Sequence, residues 1–307
     1  RAAAKNYNDV TVITSTSQYH QLIHEIKKNE GSTSLEFREK MSLEAFSETA
    51  YYDSVIADYF NRIKKNNFPN KKVFYGNLIE KLRYGENPHQ ESAIYSKTNN
   101  LNIEQIQGKQ LSYNNYNDIM SALTISKSLP KNIGTVIVKH NNPCGASIHK
   151  KKLKSYQMAL ACDPISAFGG IVSCNFKINK TLAIEFKKKF LEVVIANGFD
   201  NTALKILKKK KNLRLIDATR FILKDVIKFN SANDFILAQS EDFKKFDIKN
   251  FEIVSKIKPT KPQLKSLIFA FNICRYVKSN AIVLANQHSI IGIGSGQPSR
   301  LDSCQIA

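Results

Sequence analysis

The 307-residue sequence has no tryptophan, only five cysteines, and no apolar run approaching the roughly 20 residues that a membrane-crossing helix requires. Cys144, Cys162, Cys174, Cys274 and Cys304 are odd in number and scattered, with no C-x-x-C pair. That argues against a disulfide framework or a structural zinc site and for free thiols in a reducing compartment. The chain opens RAAAKNYNDV, with neither an initiator Met nor a charged-then-apolar leader. A cytoplasmic protein without membrane association is therefore expected, and an internal piece of a longer one. Acidic residues are scarce as well: 26 against 46 basic ones give a formal charge of +20. Arginine accounts for only 8 of those 46, although base and phosphate recognition leans on its bidentate fork. The lysine runs at 150–154, 187–189 and 208–211 fall where solvated helix faces are expected. No RNP motif, zinc-finger spacing or basic zipper accompanies them, so no nucleic-acid partner is expected.

What is present fits a globular protein, with 42% hydrophobic and 23% charged residues over a length that buries a substantial core. Residues 7–14 (YNDVTVIT) read as a short strand. Tyr19, Leu22, Ile23 and Ile26 recur at helical spacing and predict a helix over 17–28. Phe37, Met41, Phe46, Tyr51, Ile56 and Tyr59 form a stripe that predicts another over 34–64. The segment 64–72 (KKNNFPNKK) is polar and aperiodic and carries a Pro, which makes it the expected linker between domains at 1–66 and 73–307. Beyond it, short apolar strands alternate with helices and with the loops NPHQ, NNPCG, DPISAFGG and GIGSGQ, the pattern of an α/β domain. TVIVK at 135–139 is expected as a buried strand, and 155–161 as a helix leading through DPISAFGG into the strand IVSCNF. Thr260 and Pro262 mark a helix start, with the helix running to about 278. Strands at 281–285 and 289–293 flank Asn-Gln-His as a hairpin.

Four segments carry candidate chemistry. VIVKHNNPCG (136–145) ends a buried strand on Lys139 and His140 before a sharp turn, and residues just past strand ends in α/β sheets face the ligand crevice. The Lys offers a cation and the His a group that exchanges protons near neutral pH; a lone His is equally at home as an ordinary surface or core residue. In LRYGENPHQ (82–90), Arg83 can hold a phosphate bidentately, Tyr84 can stack on a planar ring, and Gly85 permits close backbone approach. An ordinary turn would contain the same residue types. DPISAFGG (163–170) pairs Phe168 with glycines that open backbone N–H groups to a ligand. GIGSGQPSR (292–300) looks like a phosphate loop but lacks G-x-G-x-x-G spacing and the Walker Lys-Ser/Thr, so nucleoside-triphosphate binding fails on residues.

In order along the chain, RYGENPHQ, KQLSYNNYNDI, VKHNNPCGAS, DPISAFGGIV, SNAIV and GIGSGQPSRLDS resemble the transformylase domain of the bifunctional AICAR transformylase/IMP cyclohydrolase family. RAAAKNY and SLEFREKMSLEAFSETAYYDSVIADYF are similar to the end of that family's preceding cyclohydrolase domain. The resemblance covers essentially the whole chain. It implies a transformylase part of cytidine-deaminase-like α/β units, preceded by the C-terminal part of a methylglyoxal-synthase-like α/β domain. It also implies formyl transfer from 10-formyltetrahydrofolate to the 5-amino group of AICAR ribotide, with IMP cyclohydrolase activity in the complete protein. A homodimer with interfacial active sites follows from the same resemblance.

By that resemblance Lys139 and His140 are the catalytic pair and Asn280, in SNAIV, a third catalytic-site residue. Arg83 and Tyr84 match ribotide-contacting positions, and Asn115, Phe168, Gly169 and Glu192 match substrate contacts. Arg300 matches an anion-binding position and Lys5 a cyclohydrolase-site lysine. The family also suggests a potassium ion near 277–281. Two stretches depart from the family: SANDFILAQ (231–239) replaces a strand entry containing Gly-Gly, and Asn197-Gly198 replaces a loop that is often Pro-Asp. The family continues past QIA with further folate and phosphate contacts, so the chain is expected to lack part of the transformylase site and most of the cyclohydrolase site. A zinc deaminase needs H-x-E and P-C-x-x-C. Here two Asn follow His140, and Gly, Ala and Ser147 follow Cys144, so no metal is expected. A zinc-free deaminase relative with another nucleotide substrate is one alternative. A lysine-rich nucleic-acid-binding protein is another; it predicts salt-sensitive binding but leaves the Lys-His strand end and the Arg-Tyr-Gly turn unexplained.

Overall fold

In a computed structural model, which describes residues 1–224, 226–242 and 248–307, most of the longer helices begin where a short polar side chain supplies an acceptor for their first turn. The chain divides into two compact units, Arg1–Asn77 with Tyr95–Asn99, and Leu78–Ile94 with Asn100–Ala307. The first contains α1 (Ala2–Lys5), α2 (Tyr19–Lys28) and α3 (Leu35–Ile63). The Ser34 hydroxyl accepts the Phe37 N–H at 3.2 Å to start α3. Both longer helices lie where the apolar spacing puts them. The expected strand at 7–14 does not form. β-branched residues fit a pleated ladder but do not supply its second strand, and side chains take up this backbone instead. Arg38 donates from Nε to the Tyr7 carbonyl at 2.8 Å and from Nη2 to that of Asn8 at 2.7 Å. The Gln18 Oε1 accepts the N–H groups of Thr14 and Ser15 at 2.8 and 3.0 Å.

Two short strands follow, β1 (Asn77–Leu82) and β2 (Ser92–Ser96), and then β3 (Glu104–Gln107), α4 (Tyr113–Ser128), β4 (Gly134–Lys139), β5 (Asn142–Ile148) and α5 (Lys152–Cys162). The chain continues through β6 (Ile171–Cys174), α6 (Lys180–Lys188), β7 (Val193–Ala196), α7 (Asn201–Leu207) and β8 (Arg214–Asp217). Six of these strands form one mixed sheet in the order β3-β8-β7-β6-β4-β5. β6, β7 and β8 run parallel, β4 is antiparallel to both of its neighbours, and β3 is antiparallel to β8. The near-continuous apolar run in β4 has a simple cause: both faces of the sheet are covered. Ile137 packs with Tyr156, Leu182 and Phe186 from α5 and α6. Val136 and Val138 point the other way, into a cluster with Ile119, Leu123 and Phe269. The α/β class expected from the sequence is the one observed.

The NNPCG string is not a loop. Asn142–Gly145 belong to β5, the edge strand, where a proline costs no interior ladder bond. Farther on, β9 (Ile227–Ala232) and β10 (Phe235–Ser240) pair as a hairpin across SANDFILAQ. α8 (Lys261–Cys274) starts at Thr260 with Pro262 in its first turn. It stops short of 278, because the N–H groups of Tyr276 and Val277 turn back to the carbonyls of Ile273 and Cys274 at 2.9 and 3.0 Å. β11 (Ile282–Ala285) and β12 (Ile290–Gly294) form the expected hairpin, and α9 (Arg300–Ile306) follows. Among the described residues no helix is long and apolar enough to cross a membrane.

The carboxyl edge of the parallel strands is closed by side-chain amides. Asn175, only 4% exposed, accepts the Gly134 N–H at 2.9 Å and donates to the carbonyls of Ser126 and Pro130 at 2.9 and 3.0 Å. Asn197 donates to the Asn175 carbonyl at 2.8 Å and accepts from the Lys127 ammonium at 2.7 Å. Asn175→Ala strips one buried N–H and three carbonyls of a partner, and should lower unfolding free energy by about 3 kcal/mol in urea titrations.

Candidate active site

β4 and β5 are joined by only two residues, His140 and Asn141, at φ of 55° and 62°. Such left-handed pairs match the twist of a two-residue hairpin, and at a histidine the conformation is uncommon enough to need support from its surroundings. Because β4 runs against β6, its end lies beside the starts of β6, β7 and β8. Val138 is in register with Ile171, Ile171 with Val193, and Val193 with Arg214. Lys139, Gly170, Glu192 and Arg214 therefore line one edge of the sheet. This edge is the amino edge of the parallel strands; the usual ligand side of such strands is the one sealed by Asn175 and Asn197.

Lys139 donates from Nζ to the Phe168 carbonyl at 2.7 Å. Gly169 has a φ of 69°, donates its N–H to the Phe190 carbonyl at 3.0 Å, and leaves the Phe168 ring 63% exposed at 5.1 Å from that of Phe190. The Glu192 Oε1 accepts from Asn115 Nδ2 at 3.1 Å and pairs with Arg214 Nη1 at 3.2 Å. Asn115 is buried, and its Oδ1 accepts the Ser112 N–H at 3.1 Å as part of the cap that starts α4. From the same helix Asp118 accepts the Asn141 N–H at 2.6 Å. Burial pushes the Asp118 carboxyl above its ordinary range, partly offset by that hydrogen bond and by the nearby His140.

Lys139 and His140 open onto a cleft of about 590 Å³ that Asn142, Asp163, Ser166 and Ser295 also line. Burial works upward on Asp163, yet hydrogen bonds from Ser166 hold its carboxyl below the usual value. Cys144 and Cys162 face the same cleft. Burial raises them to about 12 and about 11, which keeps both as thiols near neutral pH. Among the described residues no group of three or more His, Cys, Asp or Glu could hold a metal ion.

The remaining candidates lie on other elements. Arg83 and Tyr84 contact each other, the guanidinium 5.1 Å from the ring centroid. Their loop is held by Gly85, which donates to Gln90 at 2.7 Å, and by Asn114 on α4, which donates to the Glu86 carbonyl at 3.2 Å. Asn280 follows a cis peptide bond and donates to the carbonyls of Gln297 and Pro298 at 3.1 and 2.9 Å. Arg300 opens α9 just after that loop and is exposed. Lys5 ends α1 in the other unit. Three residues that sequence reasoning passed over hold the site together: Asp118, Arg214 and Asn142. The Asn142 Oδ1 accepts from the Lys278 N–H at 3.2 Å and from Ser295 Oγ at 3.1 Å, while its Nδ2 donates to the His140 carbonyl at 3.2 Å. Asp118 is in the NNYND string, and Arg214 is a charge opening the apolar LRLID run; those were the available signals.

A family model described as the AICARFT/IMPCHase bienzyme matches residues 3–307. Over the whole chain the sequence is 42% identical to the bifunctional purine biosynthesis protein PurH of Leptospira biflexa serovar Patoc, across 60% of that protein. It is also 42% identical to PurH of Prochlorococcus marinus MIT 9515, with 100% of this chain and 61% of that protein aligned. Against PurH of Caldicellulosiruptor saccharolyticus it is 40% identical, covering 98% of this chain and 60% of the relative. The chain thus spans about 60% of the length of these curated relatives. Six ordered sequence strings, an α/β fold that gathers four of them around one sheet edge, and a match running through nearly every residue lead to one assignment: the chain belongs to the AICARFT/IMPCHase bienzyme family.

Proposed function

We propose that the complete protein transfers a formyl group from 10-formyltetrahydrofolate to the 5-amino group of AICAR ribotide, and that the Lys139–His140 strand end carries the reaction. The observation that supports this best is the placing of Lys139 and His140 on one cleft, with the Phe168 loop bound to the Lys139 ammonium. The accepting amine is conjugated with an imidazole carboxamide, so it is a poor nucleophile that must lose a proton as the new N–C bond forms. His140 assists that loss. The Lys139 ammonium stabilises the negative charge that gathers on the formyl oxygen; the C–N bond to folate then breaks, and a proton equivalent to the one lost by the amine ends on the departing nitrogen, giving tetrahydrofolate. Glu192 has Oε1 occupied by Asn115 and Arg214, so Oε2 is the oxygen assigned to the substrate's amine or carboxamide. Phe168 supplies an exposed ring face, and Asn280 holds the loop that leads to Arg300, an anion contact.

In this reading the second unit is most of a transformylase domain. The first, with Lys5, is the end of a cyclohydrolase domain whose activity belongs to the complete protein, a cytoplasmic homodimer. We keep a potassium ion near 277–281 in this reading: the carbonyls of Lys278, Asn280 and Ala281 each accept one hydrogen bond, from Gly296, Ser303 and Cys274, and each retains a second lone pair of the kind a hard cation takes.

Arg83→Ala should weaken AICAR ribotide binding by about 10- to 100-fold, the worth of a charge-assisted bidentate contact. Calorimetric titration reads this, and an unchanged affinity removes Arg83 from the phosphate. The reading as a whole is tested by assaying the complete protein beside the 307-residue chain with both substrates. Formylated ribotide and tetrahydrofolate are expected from the complete protein and not from the shorter chain. A complete protein that forms neither product would sink it.

A further inference from the structure

The turn that carries His140 is built from two consecutive non-glycine residues in left-handed backbone conformation. At a histidine that conformation costs about 1 kcal/mol or more unless the surroundings impose it, and at an asparagine less. The surroundings here are α4. Asp118 accepts the Asn141 N–H at 2.6 Å, and Ser121, three residues farther along the helix, donates from its hydroxyl to the Asn141 carbonyl at 2.9 Å. Both polar groups of one peptide residue are thus fixed by a single helix face. Asn142 adds a third tie, to the His140 carbonyl at 3.2 Å. The helix is itself immobilised, since Ile119, Ala122 and Leu123 are fully or almost fully buried.

We infer that Asp118 and Ser121 are positioning residues, which clamp the His140–Asn141 turn in its left-handed form and so aim His140 into the cleft beside Lys139. The inference rests on His140 carrying formyl transfer. The clamp acts through hydrogen bonding to Asn141, not through substrate contact, and this distinguishes its effects. Losing it loosens the aim of His140 but leaves the ribotide's own contacts, Arg83 among them, in place. A misplacement of about 1 Å at a reacting group lowers turnover by up to roughly 100-fold.

The test uses Asp118→Ala, Asp118→Asn and Ser121→Ala in the complete protein, with turnover, the KM for AICAR ribotide and amide hydrogen exchange at Asn141 measured for each. Asp118→Ala is expected to lower kcat about 10- to 100-fold at unchanged KM and to abolish exchange protection at Asn141. Asp118→Asn keeps an acceptor oxygen without the charge, and should restore both protection and turnover to within a few-fold. Ser121→Ala should lower kcat by a smaller factor. Thermal unfolding reports whether Asp118→Ala folds, and if it does not, the other two variants decide. Unchanged Asn141 protection or unchanged kcat in Asp118→Ala overturns the clamp. So does an Asp118→Asn protein as impaired as the alanine variant, which would assign the effect to charge. If the unaltered protein makes no formylated product, the formyl-transfer reading fails and the exchange data alone decide the clamp.

Discussion

His140→Ala in the complete protein is expected to lower kcat for formyl transfer by about 10²- to 10⁴-fold, the usual worth of a positioned proton acceptor, while IMP cyclohydrolase activity survives. His140 directly follows β4 in one unit, whereas Lys5, the cyclohydrolase candidate, belongs to the other. Assaying both activities on the same preparation makes the comparison internal. A parallel fall of the two would show general damage and remove His140 from the chemistry. His140→Asn is the companion variant. Asparagine tolerates the left-handed backbone that His140 adopts at φ 55°, so it deletes the imidazole while sparing the turn. If asparagine retained turnover that alanine lost, the histidine would matter for turn geometry and not for proton transfer.

Gly145→Ala should be severely damaging to stability. Gly145 is buried on β5 opposite Ile137, and its backbone conformation is one that any residue adopts. The constraint is steric: a Cβ there would overlap the carbonyl of Ala159 in α5. Accommodating it means lifting α5 off the sheet, and α5 contributes Tyr156 and Ala159, at 0% and 1% exposure, to the core. Overpacking against backbone that cannot rotate away is expected to cost about 3 kcal/mol or more, read as a lower urea midpoint at unchanged slope. A loss below about 1 kcal/mol would mean that α5 retreats without disturbing the sheet.

Much of the fold was legible wherever the decisive interaction is local. Ser34 and Thr260 announce their helices by caps three residues long, and the apolar stripe beyond Ser34 recurs at the helical period. TVIVK declared its burial by the absence of any polar face. Residues 7–14 failed for the opposite reason. A strand is a relation between two segments, and the partners that take up this backbone, Arg38 and Gln18, are side chains that no periodicity reveals. NNPCG misled because Pro and Gly mark turns in most settings but are tolerated on an edge strand, and edge position is known only when the sheet order is. For the site, the string VKHNNPCG located the Lys-His strand end without showing the network behind it. Arg214 lies 22 residues from Glu192, and Asp118 lies 23 from Asn141. Their roles exist only once β7 and β8 stand side by side and α4 lies against the β4–β5 turn.

Asn115, Asp118 and Ser121 follow one i, i+3, i+6 ridge on α4. The first steadies Glu192 and the other two hold the His140 turn. The helix therefore works as a ruler: at about 1.5 Å per residue, its pitch sets a separation of roughly 9 Å between the support for the Glu192 carboxylate and the outer support for the His140 turn. A ruler is indifferent to most of its markings but not to its length. Substitutions between the three positions that keep the helix packed leave the calibration intact. One residue inserted or removed there swings the following support by about 100° around the axis, so that Glu192 and His140 can no longer be served by the same helix.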